Sequence, residues 1–332
     1  MNVVSYGVGA MGSIVARTIL EKKDWITIVG AVDVDPAKIG RDLGEVVGLG
    51  RRAGVKISGG LHEALEGKEA DVAIHTTSSS LRKVYPELEQ LMNMGLDVVS
   101  SCEELSYPYP SNVELARKLD AVAKEHGVTV LGTGINPGFL MDALPLVLTT
   151  PCVEVRKVKV SRRMDAGTRR IPFQKKVGVG MSPEEFEEAI RTGRITGHVG
   201  LAQSISMLAE GLGWRLDEVR MGKVEPVILG KEVRNNAVEV RPGEVAGLRQ
   251  AAQGILGGRT VIEHEFTAYV GAEDEFDLVE VEGLPSFRSK ITPCVHGDQG
   301  TVAMLLNMIP RIIEARPGLC TMRELPLPSA AL

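Results

Sequence analysis

The first third of the sequence holds two groups of residues whose types and spacing suit chemistry. Gly7-Val8-Gly9-Ala10-Met11-Gly12 follows a short apolar run, Asn2–Tyr6, and opens a segment of helical spacing. In that setting Gly7 permits a tight turn, Gly9 lets a pyrophosphate approach the backbone, and Gly12 allows helix and strand to pack closely. The amides at the start of the helix, around Ala10 and Met11, then face phosphate. Asp33 ends the next apolar run, 21 positions after Gly12. That is the spacing of an acid that bonds the hydroxyls of an adenosine ribose. The group implied is NAD or NADP. A carboxylate repels a 2′-phosphate and tips the balance to NAD, while Lys38 and Arg41 stand close enough in sequence to reach one. The second group is Glu103 with Glu104, directly after the run Asp97–Ser100. Burying a carboxylate without a partner is costly, and a substrate ammonium would be such a partner. The competing reading makes both glutamates surface loop residues.

These residues need a scaffold. Between residues 1 and 135 strand-like runs (Asn2–Tyr6, Ile26–Val32, Asp71–His75, Asp97–Ser100, Thr129–Leu131) alternate with helix-period segments (Ser13–Lys22, Tyr85–Met94, Asn112–His126). Buried β-runs separated by amphipathic helices predict an α/β fold, a Rossmann doubly wound parallel sheet. Thr76, Thr77 and Ser78 then stand at the carboxyl end of a strand, where open α/β sheets bind ligands. The same residues also suit a capped helix start. Asn136, followed by Pro137 and Gly138, comes after the last such strand; it either bonds a nicotinamide amide or shapes the turn.

Beyond residue 140 the pattern changes. Glu154–Arg162 alternates Val155, Val158 and Val160 with basic residues, as in a strand with one solvated or ligand-facing side. Ser182-Pro183-Glu184-Glu185 reads as a capping box, and Gly197 precedes a helix that carries His198 on the face of Leu201, Ala202 and Ile205. From Val224 to Ile291 the chain is strand-rich, with Val238–Val240, Val261–Tyr269 and Asp277–Val281 the clearest strands. A second, α+β substrate domain with a mixed or antiparallel sheet is predicted. Thr301–Ala315 has Val302, Leu305, Leu306, Ile309 and Ile312 at helical spacing. It is expected to return to the first domain. The expected boundaries are 1–140 completed by 296–332 for the dinucleotide domain, and 141–295 for substrate binding and dimerisation.

Composition narrows the class. The chain has 332 residues, 44% hydrophobic and 24% charged, enough for two ordinary globular domains. A net charge of -5 gives no global pull toward nucleic acid or anionic membranes. No apolar run approaches the ~20 residues that span a bilayer. The six histidines have no HxH or HExxH spacing and Cys102, Cys152, Cys294 and Cys320 form no CxxC pair, so no metal site is expected. Reduced thiols and the absence of a signal-like start predict a cytoplasmic protein. A homodimer is the base-rate expectation.

Five segments carry a resemblance. They are Cys102-Glu103-Glu104-Leu105-Ser106-Tyr107-Pro108; Gly132-Thr133-Gly134-Ile135-Asn136-Pro137-Gly138-Phe139; Asp165–Arg170 with Pro172-Phe173-Gln174-Lys175-Lys176; Gly197–Leu201; and His296–Thr301. Together they resemble the 2,4-diaminopentanoate dehydrogenase family and its 3,5-diaminohexanoate and amine dehydrogenase relatives, of dihydrodipicolinate reductase-like architecture. The likeness runs from Met1 to about Pro326. The histidine pair and DAPSGTA-like stretch of dihydrodipicolinate reductase itself are missing, which argues against that reaction.

The resemblance implies reversible oxidative deamination of a short diamino acid or amine, with NAD(P) as acceptor and ammonia released. Hydride leaves an amine-bearing carbon only when nitrogen has a lone pair to form the iminium, so an ammonium of pKa ~10 must first lose a proton. A carboxylate both binds the cation and takes that proton. The role falls on Glu103 or Glu104, with Glu103 favoured because it comes first after the strand. The substrate carboxylate needs a cation, and Arg162, Arg163, Arg169, Arg170, Lys175 and Lys176 are the candidates. Gln174 and His198 join them as expected pocket residues. Two rivals remain: a reductase of the same architecture acting on another amine or carbonyl, and a dinucleotide sensor with no catalytic role.

Overall fold

The computed structural model describes residues 1–234 and 238–330. Positions 235–237 of the expected second domain, and 331–332 of the expected return segment, lie outside the described residues. The chain divides into two compact units, Met1–Phe139 with the segment from Asp298 onward, and Leu140–Gly297.

The first unit alternates strand and helix, as its hydrophobic periods require. Its strands are β1 (Asn2–Tyr6), β2 (Thr27–Val32), β3 (Ile57–Ser58), β4 (Val72–His75), β5 (Asp97–Ser100) and β6 (Thr129–Gly132). Its helices are α1 (Ala10–Lys22), α2 (Leu43–Val46), α3 (Leu61–Ala64), α4 (Leu81–Asn93) and α5 (Val113–His126). The strands lie in the order β6-β5-β4-β1-β2-β3, all parallel. The order reverses between β1 and β4, the switch point where ligands meet such sheets. Val84, Leu88, Leu91 and Met92 of α4 and Ala116, Leu119 and Ala123 of α5 bury one apolar face together with Val4, Ala73, Val98 and Val130 of the sheet. The helix-period segment expected from Tyr85 begins earlier, at Leu81. The reason is tertiary: its first amide is capped by a carboxylate from residue 104.

The second unit has helices α6 (Ala143–Leu148), α7 (Ile171–Lys176), α8 (Pro183–Arg191) and α9 (Leu201–Gly211). Its strands are β7 (Glu154–Asp165), β8 (Glu218–Ile228), β9 (Val233–Arg234), β10 (Glu239–Val240), β11 (Val245–Leu256), β12 (Arg259–Tyr269), β13 (Phe276–Leu284) and β14 (Phe287–Ile291). Six of them form one sheet, β14-β13-β7-β12-β11-β8. It is mixed, because β7 and β12 run parallel while the other pairs are antiparallel. Helix α9 packs on β8, β11 and β12. The capping box at Ser182 and Glu185 forms as read from the sequence.

The chain then returns to the first unit. Helix α10 spans Gly297–Ile313, starting earlier than the expected Thr301, and buries Val302, Leu305, Leu306, Ile309 and Ile312 as their spacing requires. Strand β15 (Gly318–Cys320) adds a seventh parallel strand beside β6, an addition its three residues did not announce.

Candidate active site

The glycine turn sits between β1 and α1. Gly9 is the N-cap of α1 and has no side chain to cap with, and the first turn carries no acidic residue. The first amides of a helix have no partner within it, so they are available to an anion. A methyl group on Gly9 would meet nothing within 4 Å, whereas one on Gly12 would lie 1.9 Å from the Gly7 carbonyl oxygen. The turn is closed behind and open in front, which is the shape a pyrophosphate needs. Thr76 forms one wall: its hydroxyl donates to the Gly7 carbonyl at 2.9 Å. Thr77 is exposed and Ser78 half-buried beside it.

Asp33 braces the same turn. One carboxylate oxygen accepts from the Val8 amide at 2.8 Å and from the Lys38 ammonium at 3.2 Å; the other accepts from the Asp35 amide at 2.8 Å. Burial alone would raise its pKa, but the Asp35 and Val8 amides and Lys38 together hold it below the usual carboxylate value. Lys38 offsets much of the negative charge that would repel a 2′-phosphate, so the acid at this position does not by itself exclude NADP. The residues present thus fit a dinucleotide.

The two glutamates open a single turn of 3-10 helix, Glu103–Leu105, after β5. Gly132, at the end of β6, is where that turn rests: a methyl group there would lie 2.4 Å from the Leu105 carbonyl carbon. Both glutamates are half-buried. The Glu104 carboxylate accepts from the Leu81 amide at 2.7 Å and so caps α4 in place of Ser80, whose side chain makes no cap. Cys102, just before them, is buried, donates to the Ser79 carbonyl, and has its thiol pushed up to about 12 by burial. It is no nucleophile at neutral pH. Asn136 lies in the loop after β6, next to Ile135, whose amide donates to the Thr301 hydroxyl.

In the second unit three polar residues and a phenylalanine form a row across the inner face of the sheet. Asp277 on β13, Arg162 on β7, Phe266 on β12 and Gln250 on β11 are successive register partners. Arg162 departs from the expected basic face. It points inward with Val158 and Val160, is 2% exposed, and bonds Asp277 at 2.7 Å and the Val295 carbonyl. His198 also departs from expectation. Gly200 is the N-cap of α9, so His198 precedes the helix. Its ring stacks on Phe266 at 4.2 Å and 10°, and its amide donates to Gln250. Burial first, then the positive charges of Lys176, Arg162 and Arg169, push its pKa well below 6.5. Its imidazole is therefore neutral at physiological pH.

The remaining expected residues surround this row unevenly. Arg169 lies over the Phe173 ring at 4.3 Å, with a terminal nitrogen against the Gly297 α-carbon that leaves no space for a side chain there. Gln174 is buried and donates to the Arg169 carbonyl at 2.8 Å, closing the Gly167–Arg169 turn. Arg170 precedes α7 as its N-cap, and Lys175 is exposed at the end of that short helix.

Sequence reasoning passed over His264. It follows the period of β12 into the core between Ile262 and Phe266, is 0% exposed, and neither ring nitrogen has a hydrogen-bond partner among the described residues. Burial lowers its pKa to about 3. The signal was the strand alternation, in which Glu263 and Glu265 face out.

Among the described residues there is no cluster of His, Cys, Asp or Glu able to hold a metal, and no helix is long and apolar enough to cross a membrane.

Comparison with known proteins joins these observations. Residues 139–332 match the family model of the 2,4-diaminopentanoate dehydrogenase C-terminal domain, and residues 1–103 match the dihydrodipicolinate reductase N-terminal model. A 2,4-diaminopentanoate dehydrogenase of Acetoanaerobium sticklandii is 35% identical over 100% of this chain and 95% of its own length. The solved amine dehydrogenase of Mycobacterium smegmatis superposes with a TM-score of 0.87 at 28% identity, covering 99% of this chain and 97% of that one. The WlbA dehydrogenase of Bordetella pertussis, solved with NADH and UDP-GlcNAcA, shares the fold at 14% identity and a TM-score of 0.52 over 93% and 87% of the two chains.

Proposed function

The chain belongs to the 2,4-diaminopentanoate dehydrogenase family, and from that premise we propose that it deaminates 2,4-diaminopentanoate to 2-amino-4-oxopentanoate. It is an oxidoreductase acting on amines. The balance is substrate ammonium, NAD(P)+ and water giving ketone, ammonium, NAD(P)H and one proton. NAD or NADP, when bound, supplies the hydride acceptor. The glycine turn and Asp33 hold the nucleotide, with Thr76 walling the turn and Thr77, Ser78 and Asn136 in the loops at the same end of the strands.

We assign the base to Glu103. The Glu104 carboxylate already serves the Leu81 amide, and moving it to a substrate would uncap α4. Glu103 binds the substrate ammonium, takes its proton, and leaves nitrogen with the lone pair that expels hydride from carbon. Once the iminium exists, the same carboxylate orients the water that hydrolyses it.

What favours a diamino acid over a simple amine is the positive charge of Lys176, Arg162 and Arg169 gathered around the neutral His198. A neutral imidazole beside cations can donate to a carboxylate without adding charge of its own. Arg169, Arg170, Lys175 and Lys176 are the groups we assign to that anion. Arg162 holds its neighbours in place through Asp277, and Gln174 sets the turn that presents Arg169.

The test is a panel. Purified enzyme with NAD+ or NADP+ is offered 2,4-diaminopentanoate, 3,5-diaminohexanoate and a simple primary amine, and NAD(P)H is read by absorbance. The highest kcat/KM is expected with diaminopentanoate, by tenfold or more over the simple amine. Equal or better turnover of the simple amine would remove the role given to the cations.

We further propose a cytoplasmic homodimer. All four cysteines are free thiols, which suits a reducing compartment. The outer face of the six-stranded sheet carries Arg163, Arg249, Glu225 and Glu265 around an open cavity of about 410 Å³. Both signs of charge on one face let a copy pair with itself across a twofold axis. Light scattering is expected to give twice the chain mass of 35.7 kDa; a mass of one chain at micromolar concentration rules the dimer out.

A further inference from the structure

A buried polar chain runs beneath the glutamate turn, and apart from Thr77 at its end neither cofactor binding nor the assigned base accounts for it. His75 closes β4 between Tyr6 of β1 and Ser100 of β5, its register partners. It is 0% exposed. Its Nδ1 lies 2.8 Å from the Ser100 hydroxyl, and its Nε2 lies 2.8 Å from the Glu87 carboxylate of α4. Thr77 joins at the far end, its hydroxyl 2.6 Å from Glu87 and 2.9 Å from Nε2. The Ser100 oxygen in turn accepts from the Cys102 amide at 3.1 Å.

Donors and acceptors fix the direction of the chain. An ionised carboxylate only accepts, so Nε2 donates to Glu87, as does the Thr77 hydroxyl. Burial would raise the Glu87 pKa, but His75 and Thr77 hold it below the usual carboxylate value. In the neutral ring Nδ1 is then an acceptor, and the Ser100 hydroxyl donates to it while keeping a lone pair for the Cys102 amide. Every buried polar atom of the chain is paired, as a site in an apolar core demands.

Its consequence lies on either side of Glu103. The preceding residue, Cys102, is tied through Ser100 and His75 to Glu87 of α4; the following one, Glu104, is tied to the first amide of that same helix. One helix therefore clamps both neighbours of the assigned base. We propose that His75, Ser100 and Glu87 are positioning residues that fix the Glu103 backbone for proton abstraction. Tenths of an ångström at a reacting group are worth this much structure, because a misplaced base loses rate steeply.

The inference rests on Glu103 as the base, so its test carries a readout independent of turnover. Ser100→Ala removes the acceptor of the Cys102 amide with little change of volume, and Ser100→Thr restores an oxygen. Glu87→Gln, on a half-exposed side chain, weakens the far end and serves if Ser100→Ala folds poorly. Amide hydrogen exchange at Cys102, NADH affinity by fluorescence, and kcat are measured together. In Ser100→Ala the Cys102 amide is expected to exchange at least tenfold faster, with kcat down about tenfold and NADH affinity within twofold. Ser100→Thr should recover most of both losses. Glu87→Gln should show both losses in smaller degree, and added to Ser100→Ala it should cost little more, since the two act through one chain.

Unchanged exchange at Cys102 in both Ser100→Ala and Glu87→Gln would show that no clamp exists. Faster exchange with unchanged kcat would show a clamp that positions nothing. Should Glu103→Gln itself retain full turnover, the base assignment fails on its own, and the exchange data still report whether the chain holds Cys102.

Discussion

Glu103→Gln is expected to turn over 2,4-diaminopentanoate at least a thousandfold more slowly than the parent enzyme while binding NADH within a factor of two. The magnitude follows from the role. A positioned base contributes on the order of 10²–10⁴ in rate, and here the same group also holds the ammonium whose proton must leave. The glutamine keeps the size and one acceptor oxygen but neither accepts a proton nor carries the charge that attracts the cation. Glu104→Gln is the control. Its amide oxygen still accepts from the Leu81 backbone, so a stability loss under about 1 kcal/mol, the scale of a helix cap, and a small effect on kcat are expected. The measurement is steady-state NAD(P)H formation alongside fluorescence titration of NADH. If the two variants exchange these phenotypes, Glu104 is the base and the cap is the lesser use of its carboxylate. If both keep full turnover, the deamination reading has no base.

The features legible from sequence were those written in local spacing. The glycine triplet and Asp33 lie on adjacent elements, so the pattern of residues 1–33 carries their geometry. The strand alternation of β12 and the capping box at Ser182 are legible for the same reason. What escaped was set by residues far apart in sequence. Glu104 and Leu81 are 23 positions apart, and nothing local says that the second glutamate of a pair will cap a distant helix. Arg162 looks like a member of a basic run, and only Asp277, 115 positions away, allows it to turn inward. His198 reads as part of a helix after Gly197, in register with Leu201, Ala202 and Ile205; the cap is Gly200, whose φ of 109° suits only a glycine there. Period finds elements, but it does not find the partners that make a buried charge affordable.

The inward turn of Arg162 leads to a second large effect, this one on stability. Asp277→Ala is expected to destabilise the second unit by about 3–5 kcal/mol, the range for removing one member of a buried ion pair. The side chains are 1% and 6% exposed and 2.7 Å apart, and the second Asp277 oxygen accepts from the Val295 amide at 2.8 Å. Burial pushes the carboxyl of Asp277 up and the guanidinium of Arg162 down in pKa, the mark of a pair taken out of water. Without the carboxylate, a guanidinium remains in the core with only the Val295 carbonyl and its neighbours to solvate it, close to Phe266 and His198. The replacement of both partners separates charge from shape. Arg162→Met combined with Asp277→Leu removes the stranded cation, and it should recover more than half of the loss in urea denaturation followed by circular dichroism. Activity should not recover with it, because Arg162 also sets the charge around His198: KM for the diamino acid should rise at least tenfold in the double variant while simple amines are affected little. A double variant no more stable than Asp277→Ala would mean that the pair contributes through the Val295 segment it ties down rather than through its own charge balance.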